Sequence, residues 1–320
     1  MNAFARFVSL ALLLLVGSAS AQQYPTKPVK IVVAFAPGGG SDFIARLLAV
    51  KLGEKLGQPV IVENRPGAGG NLGAEYALKA APDGYTLVMG STTSLSVVPH
   101  LYSKVPYKVT DFAPISIVGL LNTSLTAHPS VPEKTAKELI ERLKRQPGSL
   151  VAATSGVGSY SHLAGEWFAA SAGVKIDFVP YNTTSPYADL VSGQVQVMFD
   201  ALPAAIGNVK AGKLKILALT GKTRHPNFPD TPTFAELGLT EYVPTAWIGL
   251  FAPAGTPAPI LTKLSDAMQK AAVQNPELIA RWRAFGGDLK AQTPAEFSAF
   301  LKQDDALWGP AIRKAGVKLD

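Results

Sequence analysis

Ile31-Val32-Val33-Ala34-Phe35-Ala36-Pro37-Gly38-Gly39-Gly40-Ser41-Asp42 is an apolar run, a glycine-rich turn and a polar helix start, in that order. The same device returns as Val151-Ala152-Ala153-Thr154-Ser155-Gly156-Val157-Gly158-Ser159. Glycine has no Cβ, so backbone amides at such a turn stay open to a ligand. The helix start that follows offers unpaired N–H groups and the positive end of a dipole. Two copies, one in each half of the chain, predict two lobes that clamp a small carboxylate between them.

Outward from the first copy, Val29 to Phe35 is almost continuously apolar, as a strand buried on both faces of a parallel sheet requires. Phe43, Ile44, Leu47, Leu48 and Leu52 then recur at helical spacing and predict one buried face, ended by Gly57. Val60-Ile61-Val62 is a second strand, Asn71 caps a second helix, and Pro82-Asp83-Gly84 turns the chain into a third strand. This βαβαβ unit places the chain in the α/β class. Short strands are predicted at Ile115 to Val118 and Ser124 to Ala127, after which strand–helix alternation restarts and runs to Leu219. Trp247 to Phe251 is one more strand, and the remainder beyond Thr256-Pro257 reads as helix, broken at Pro276, Gly286-Gly287 and Pro294.

Helices without strands of their own must pack on an existing sheet. The chain is therefore expected to cross into a second domain near Thr123 and return near Thr245. The expected organisation is a leader over 1–21, a discontinuous first domain of 22–123 plus 246–320, and a second domain of 124–245. Two crossovers make a hinge, and a cleft between hinged sheets is a preferred ligand site.

Arg6, the apolar stretch from Phe7 to Val16 and the small-residue site Ala19-Ser20-Ala21 read as an export signal cleaved after Ala21. The mature chain is expected in the periplasm, as a soluble protein with 47% hydrophobic residues to build its core. The absence of cysteine excludes disulfides, thiolate metal sites and cysteine nucleophiles. A net charge of +7 favours anionic partners, yet no basic run with interleaved aromatics points to nucleic acid. His100, His128, His162 and His225 are scattered and form no metal-ligand spacing. No serine sits in a G-x-S-x-G elbow. Both glycine turns begin a dinucleotide fingerprint, but Phe43 and Ser161 occupy its third-glycine positions. No catalysis, cofactor or metal is expected. The alternatives are a ligand-sensing receptor for a membrane sensor and a secreted nucleotide-binding enzyme.

Ligands of open α/β sheets bind beyond the carboxyl ends of strands. That singles out Pro37, Gly38, Gly39, Gly40, Ser41 and Asp42, with Ser41 or Asp42 as a helix cap. It also singles out the hydroxyls of Ser91, Thr92 and Thr93. In the second domain the candidates are Ser155, Gly156, Gly158, Ser159 and His162, followed by Tyr181, Thr183, Thr184 and Asp200. With Ser159 as cap, His162 lies close to it, either facing a ligand or partly buried and hydrogen-bonded. Asp200 is either an acceptor for a ligand ammonium, hydroxyl or water, or the cap of the helix around Pro203.

Several ordered segments carry a family resemblance: Tyr24-Pro25-x-Lys27-Pro28, Pro37 to Asp42, Val62-Glu63-Asn64-Arg65-Pro66-Gly67-Ala68-Gly69-Gly70, Pro82 to Leu87, Gly156-x-Gly158-Ser159 with His162-Leu163, Phe199-Asp200, and Ala252 to Pro257. Together they resemble the substrate-binding proteins of the tripartite tricarboxylate transporter family, the Bug-type periplasmic receptors. The resemblance implies a type II periplasmic-binding-protein fold closing on a small organic carboxylate. It implies delivery to membrane permease subunits by a monomer without catalytic activity, and ligand contacts at the loops named above. The ligand classes it leaves open are dicarboxylates, tricarboxylates, acidic amino acids and aromatic acids. This chain departs from the family after Tyr181, where Asn182-Thr183-Thr184-Ser185-Pro186-Tyr187 replaces a Lys-Gly-type segment followed by Pro-Ala.

Overall fold

The computed structural model describes residues 24–319, apart from 36, 38, 39, 68, 69, 103, 106, 182, 183 and 285. The expected export signal, Gly38, Gly39 and Thr183 therefore lie outside the described residues. One sheet is built from β1 (Val29–Val33), β2 (Val60–Asn64), β3 (Thr86–Ser91), β4 (Phe112–Leu121), β10 (Ala246–Pro253) and β11 (Gly287–Leu289), in the order β11-β4-β10-β3-β1-β2. The other holds β5 (Thr123–Ala127), β6 (Val151–Thr154), β7 (Asp177–Pro180), β8 (Val197–Ala201) and β9 (Lys215–Leu219), in the order β7-β6-β8-β5-β9.

Helices α1 (Gly40–Leu56), α2 (Asn71–Leu78) and α3 (Val98–Leu101) belong to the first half of the chain. Helices α4 (Ala136–Arg145), α5 (Tyr160–Ala172), α6 (Tyr187–Ser192) and α7 (Leu202–Lys210) intersperse the strands of the second sheet. The tail supplies α8 (Ala258–Ala272), α9 (Pro276–Ala284) and α10 (Pro294–Ala315). Among the described residues no helix is long and apolar enough to cross a membrane.

β1 is the apolar strand the sequence predicts. It pairs in parallel with β2 and β3, and Val29, Ile31, Val32 and Val33 are all buried. Each such side chain contributes roughly 1.5–3 kcal/mol by leaving water. Both sheets are mixed rather than purely parallel. β10 runs antiparallel between β3 and β4, and β5 runs antiparallel between β8 and β9. These reversed strands are the first elements after each crossover. β10 is buried along its whole length, with Trp247 and Phe251 packed against Phe297 of α10.

The outward crossover is a single residue, Asn122, between β4 and β5. It is stitched to the return path. The Thr123 hydroxyl donates to the Pro244 carbonyl at 2.8 Å, and the Thr123 amide donates to Thr220 Oγ1 at 2.8 Å. The Asn122 amide nitrogen also bonds the Thr220 carbonyl.

Three expectations need correction. Phe43 does not join the buried face of α1. Ile44, Leu48 and Leu52 are buried four residues apart, whereas Phe43 is 42% exposed on the flank of that stripe. The tail is not wholly helical, because Gly287–Leu289 adds an edge strand antiparallel to β4. Three residues are too few to show an alternating pattern. Gly287 permits this pairing, since a Cβ there would lie 2.5 Å from Trp282 Nε1 and 2.7 Å from Leu121 Cδ2. Neither Ser41 nor Asp42 caps α1: the helix begins at Gly40 and Asp42 lies in its first turn.

Candidate functional site

A cleft of about 810 Å³ opens where the two sheets face each other. A second chamber of about 430 Å³ adjoins it through the shared residues Phe35, Thr93, Ser155, Tyr160 and Asp200. Strand ends build it, as the sequence predicts. Ser41 comes from the first turn of α1, Ser91 from the end of β3 and Thr93 from the π-helical turn after it, Ser155 from the turn after β6, and Asp200 from β8.

The Ser91–Thr93 segment is rigid by its own chemistry. The Ser91 side chain caps a π-helical turn over Thr92–Val97, and the Ser94 hydroxyl oxygen accepts from the Ser91 amide at 3.1 Å. Thr92 is spent on architecture. Its Oγ1 accepts from the Trp247 amide at 2.8 Å and its hydroxyl donates to the Thr245 carbonyl at 3.4 Å. Thr93 faces both chambers.

The second glycine turn has the predicted local form. Ser159 is the N-cap of α5 and accepts from the His162 amide at 3.3 Å. Gly156 and Gly158 take φ of 108° and 74°, a region that favours glycine. Gly156, Gly158 and Ser159 line the smaller chamber. Two amides of this turn are already satisfied. Gly158 N–H donates to His162 Nδ1 at 3.1 Å and Ser155 N–H donates to Ser161 Oγ at 2.8 Å.

Of the two readings left open for His162, the geometry favours the partly buried, hydrogen-bonded one. Its Nδ1 accepts, so the proton of the neutral ring is on Nε2, 3.6 Å from Glu166. The ring packs edge-on against Phe178, and burial lowers its pKa. It lines neither chamber.

Asp42 is also turned elsewhere. Its carboxylate accepts from Arg46 Nε at 3.0 Å, from Arg46 Nη2 at 2.9 Å and from Asn64 Nδ2 at 2.9 Å. It borders a separate outer groove of about 490 Å³ between α1 and α9, together with Phe43 and Arg281. Pro37 is exposed and does not line the chambers, and Gly40 starts α1.

Asp200 lines both chambers. Its Oδ1 accepts from the Ala201 amide at 2.7 Å and its Oδ2 from the Tyr187 hydroxyl at 3.3 Å. Burial pushes its carboxyl up to about 6 despite these bonds. Tyr181 and Thr184 line the larger chamber, and the Tyr181 hydroxyl donates to Asp189 at 2.6 Å.

The sequence reading missed several walls. Tyr160 lines both chambers and Trp247 the larger one, whereas Tyr187, in the segment singled out after Tyr181, lines the larger chamber beside Asp200. As aromatic residues at the starts of a helix and a strand, Tyr160 and Trp247 read as core. Only their approach in space, Tyr160 hydrogen-bonding Thr123 across the hinge, reveals the second role. Among the described residues lining the two chambers there is no Lys, Arg or His, and Asp200 is the one carboxylate. No group of described His, Asp and Glu residues has the arrangement of a metal site.

Residues 44–317 match the model of the tripartite tricarboxylate transporter family receptor. The chain belongs to that family. Protein BugT of Bordetella pertussis is 36% identical over 94% of this chain and 93% of its own length. Among solved structures of this receptor family, BugD, a periplasmic binding protein, superposes with a TM-score of 0.81 at 34% identity, covering 92% of this chain and 99% of that one. R. palustris Rpa4515, solved with adipate, gives 0.84 at 32% identity over 92% and 99%. MatC from Rhodopseudomonas palustris, solved with malate, gives 0.80 at 32% identity over 90% and 100%. The receptor fold expected from the sequence is thus the fold found.

Proposed function

We propose that this receptor captures a small organic carboxylate by closing its two domains, 22–123 plus 246–320 and 124–245, over the cleft. It then delivers the ligand to the permease subunits of a tripartite tricarboxylate-type transporter. One observation carries the reading: the cleft is lined from both halves by the neutral hydroxyl residues Ser41, Thr93, Ser155 and Thr184, in helix starts and loops that follow strands. Neutral donors with helix starts behind them hold a carboxylate without a cation. The adipate and malate held by two relatives support the ligand class. The protein acts as a monomer in the periplasm after cleavage behind Ala21, and it releases its ligand chemically unchanged.

A thermal-shift screen of dicarboxylates, tricarboxylates, acidic amino acids and aromatic acids tests this. A ligand that binds only the native state raises the melting temperature. At least one carboxylate should do so, with calorimetry giving one site per chain. Stabilisation by nucleotides and by no carboxylate would overturn the reading.

A further inference from the structure

The polar groups of the cleft are divided by what they can still give. Three tyrosines line it, and each hydroxyl proton is committed. Tyr181 donates to Asp189 and Tyr187 donates to Asp200. The Tyr160 hydroxyl donates to Thr123, because the Thr123 proton goes to Pro244. The carboxylate oxygens of Asp200 and the phenol oxygen of Tyr187 are therefore left as acceptors, beside the hydroxyls of Ser155, Thr184 and Ser185 that line the same chamber. The hydroxyls of Ser41 and Thr93 stand on the wall contributed by the first sheet.

From this division we infer that the ligand is a carboxylate that also carries a hydrogen-bond donor, a hydroxyl or an ammonium, and that Asp200 and Tyr187 select for that donor against a second ionised carboxylate. The inference rests on the carboxylate reading above and narrows it. The physical reason is a mismatch. A second carboxylate would meet a carboxylate and a phenol oxygen with no proton between them, and like charges in a partly desolvated site repel strongly. A donor there satisfies an otherwise incompletely solvated acid, and leaving such a group unmatched is what gives polar sites their discrimination. Of the two, Asp200 lies in a segment this chain shares with its family, and Tyr187 in the segment where it departs.

Protonation of Asp200 would turn the corner into a donor and relax the preference. The other titratable groups around it are Tyr187 on α6 and Tyr160 on α5, and burial raises both phenols above their ordinary range. Asp200 is therefore the group that changes state in mildly acidic solution.

The test uses ligand-free full-length mature protein and titration calorimetry at pH 7.5, with skeletons of two lengths. The probes are succinate, 4-hydroxybutanoate and 4-aminobutanoate, and adipate, 6-hydroxyhexanoate and 6-aminohexanoate. The expected result is that, in the better-fitting length, a donor-bearing acid binds at least about tenfold more tightly than the diacid. Asp200→Asn should erase that ratio, since an amide offers its own N–H to the diacid. At pH 5 the wild-type ratio should shrink in the same direction. Tyr187→Phe, which keeps the ring and the acid but removes the phenol acceptor, should shrink the ratio without erasing it, and serves as a second variant if Asp200→Asn folds poorly; an unchanged ratio there would remove Tyr187 from the selection. A diacid that binds as tightly as its donor-bearing partners at pH 7.5, or a ratio unchanged in Asp200→Asn, would overturn the inference while leaving a carboxylate receptor intact. If none of the six acids binds and no other carboxylate stabilises the protein, the carboxylate reading fails and takes this inference with it.

Discussion

The Thr123 hydroxyl donates to the Pro244 carbonyl at 2.8 Å, across 121 residues of sequence, and so ties the outgoing crossover to the returning one. The same oxygen accepts from Tyr160, whose ring lines the cleft. Hinge and ligand wall thus share one hydroxyl.

Thr123→Val keeps the shape and removes that hydroxyl. It leaves the Pro244 carbonyl and the Tyr160 hydroxyl buried without their partner, at a cost of about 1–3 kcal/mol. Denaturant titration should show the loss, and Thr123→Ser should recover most of it. Equal stability of Val and Ser variants would show that packing, not hydrogen bonding, holds the hinge.

Asp42 separates scaffold from site. Its carboxylate is engaged by Arg46 and Asn64 and is almost fully buried. Asp42→Asn should lower stability by about 1–3 kcal/mol, read as a melting point lower by roughly 2–4 °C per kcal/mol. Carboxylate affinity should stay within about threefold. A tenfold weaker complex with an unchanged melting point would place Asp42 in the site instead.

Thr93→Val is the converse case. Thr93 faces both chambers, so the hydroxyl is expected to reach the ligand while the methyl-bearing frame only packs. Losing one bond to a charged group should weaken carboxylate binding about tenfold or more by calorimetry, with little change in melting point. Unaltered affinity would remove Thr93 from the site.

Asp304 of α10 gives a pH signature. It accepts from Trp247 Nε1 at 2.6 Å, and burial pushes its carboxyl up to about 6. The native state therefore holds this proton more tightly than the unfolded chain. The associated stability is fully present below about pH 4 and is lost as pH rises through about 6. Melting points of the wild type should reflect this loss between pH 4.5 and 7.5, and Asp304→Asn should reduce the drop. Identical pH profiles would mean that the acid is ionised in the native state throughout. Asp200, raised for the same reason, acts in the same direction in both proteins, and buried His162, lowered, acts oppositely.

Much of the site was legible because its framework is local. The apolar run of β1, the Ser159 cap and the positive-φ glycines at 156 and 158 depend on neighbours within a few residues, which hydrophobic periodicity and cap chemistry encode directly. The ordering of strand-end loops followed from alternation alone. Side-chain direction was not legible. Asp42 and Asp200 occupy equivalent positions in sequence terms, beyond or at strand ends, yet one is clamped by Arg46 and the other lines the cleft.

By itself the sequence determined the α/β class, the two glycine turns, the cap that starts α5 and the absence of any thiol chemistry, because each is set by local conformation or by composition. Tertiary structure alone decided which hydroxyls and acids share the cleft. The bond from Thr92 to Thr245 spans 153 residues and that from Thr123 to Tyr160 spans 37. Only the folding of two sheets against each other, through a crossover as short as Asn122, brings those partners within reach. The same packing turns Trp247 and Tyr160, which an apolar pattern assigns to a core, into walls of the cleft.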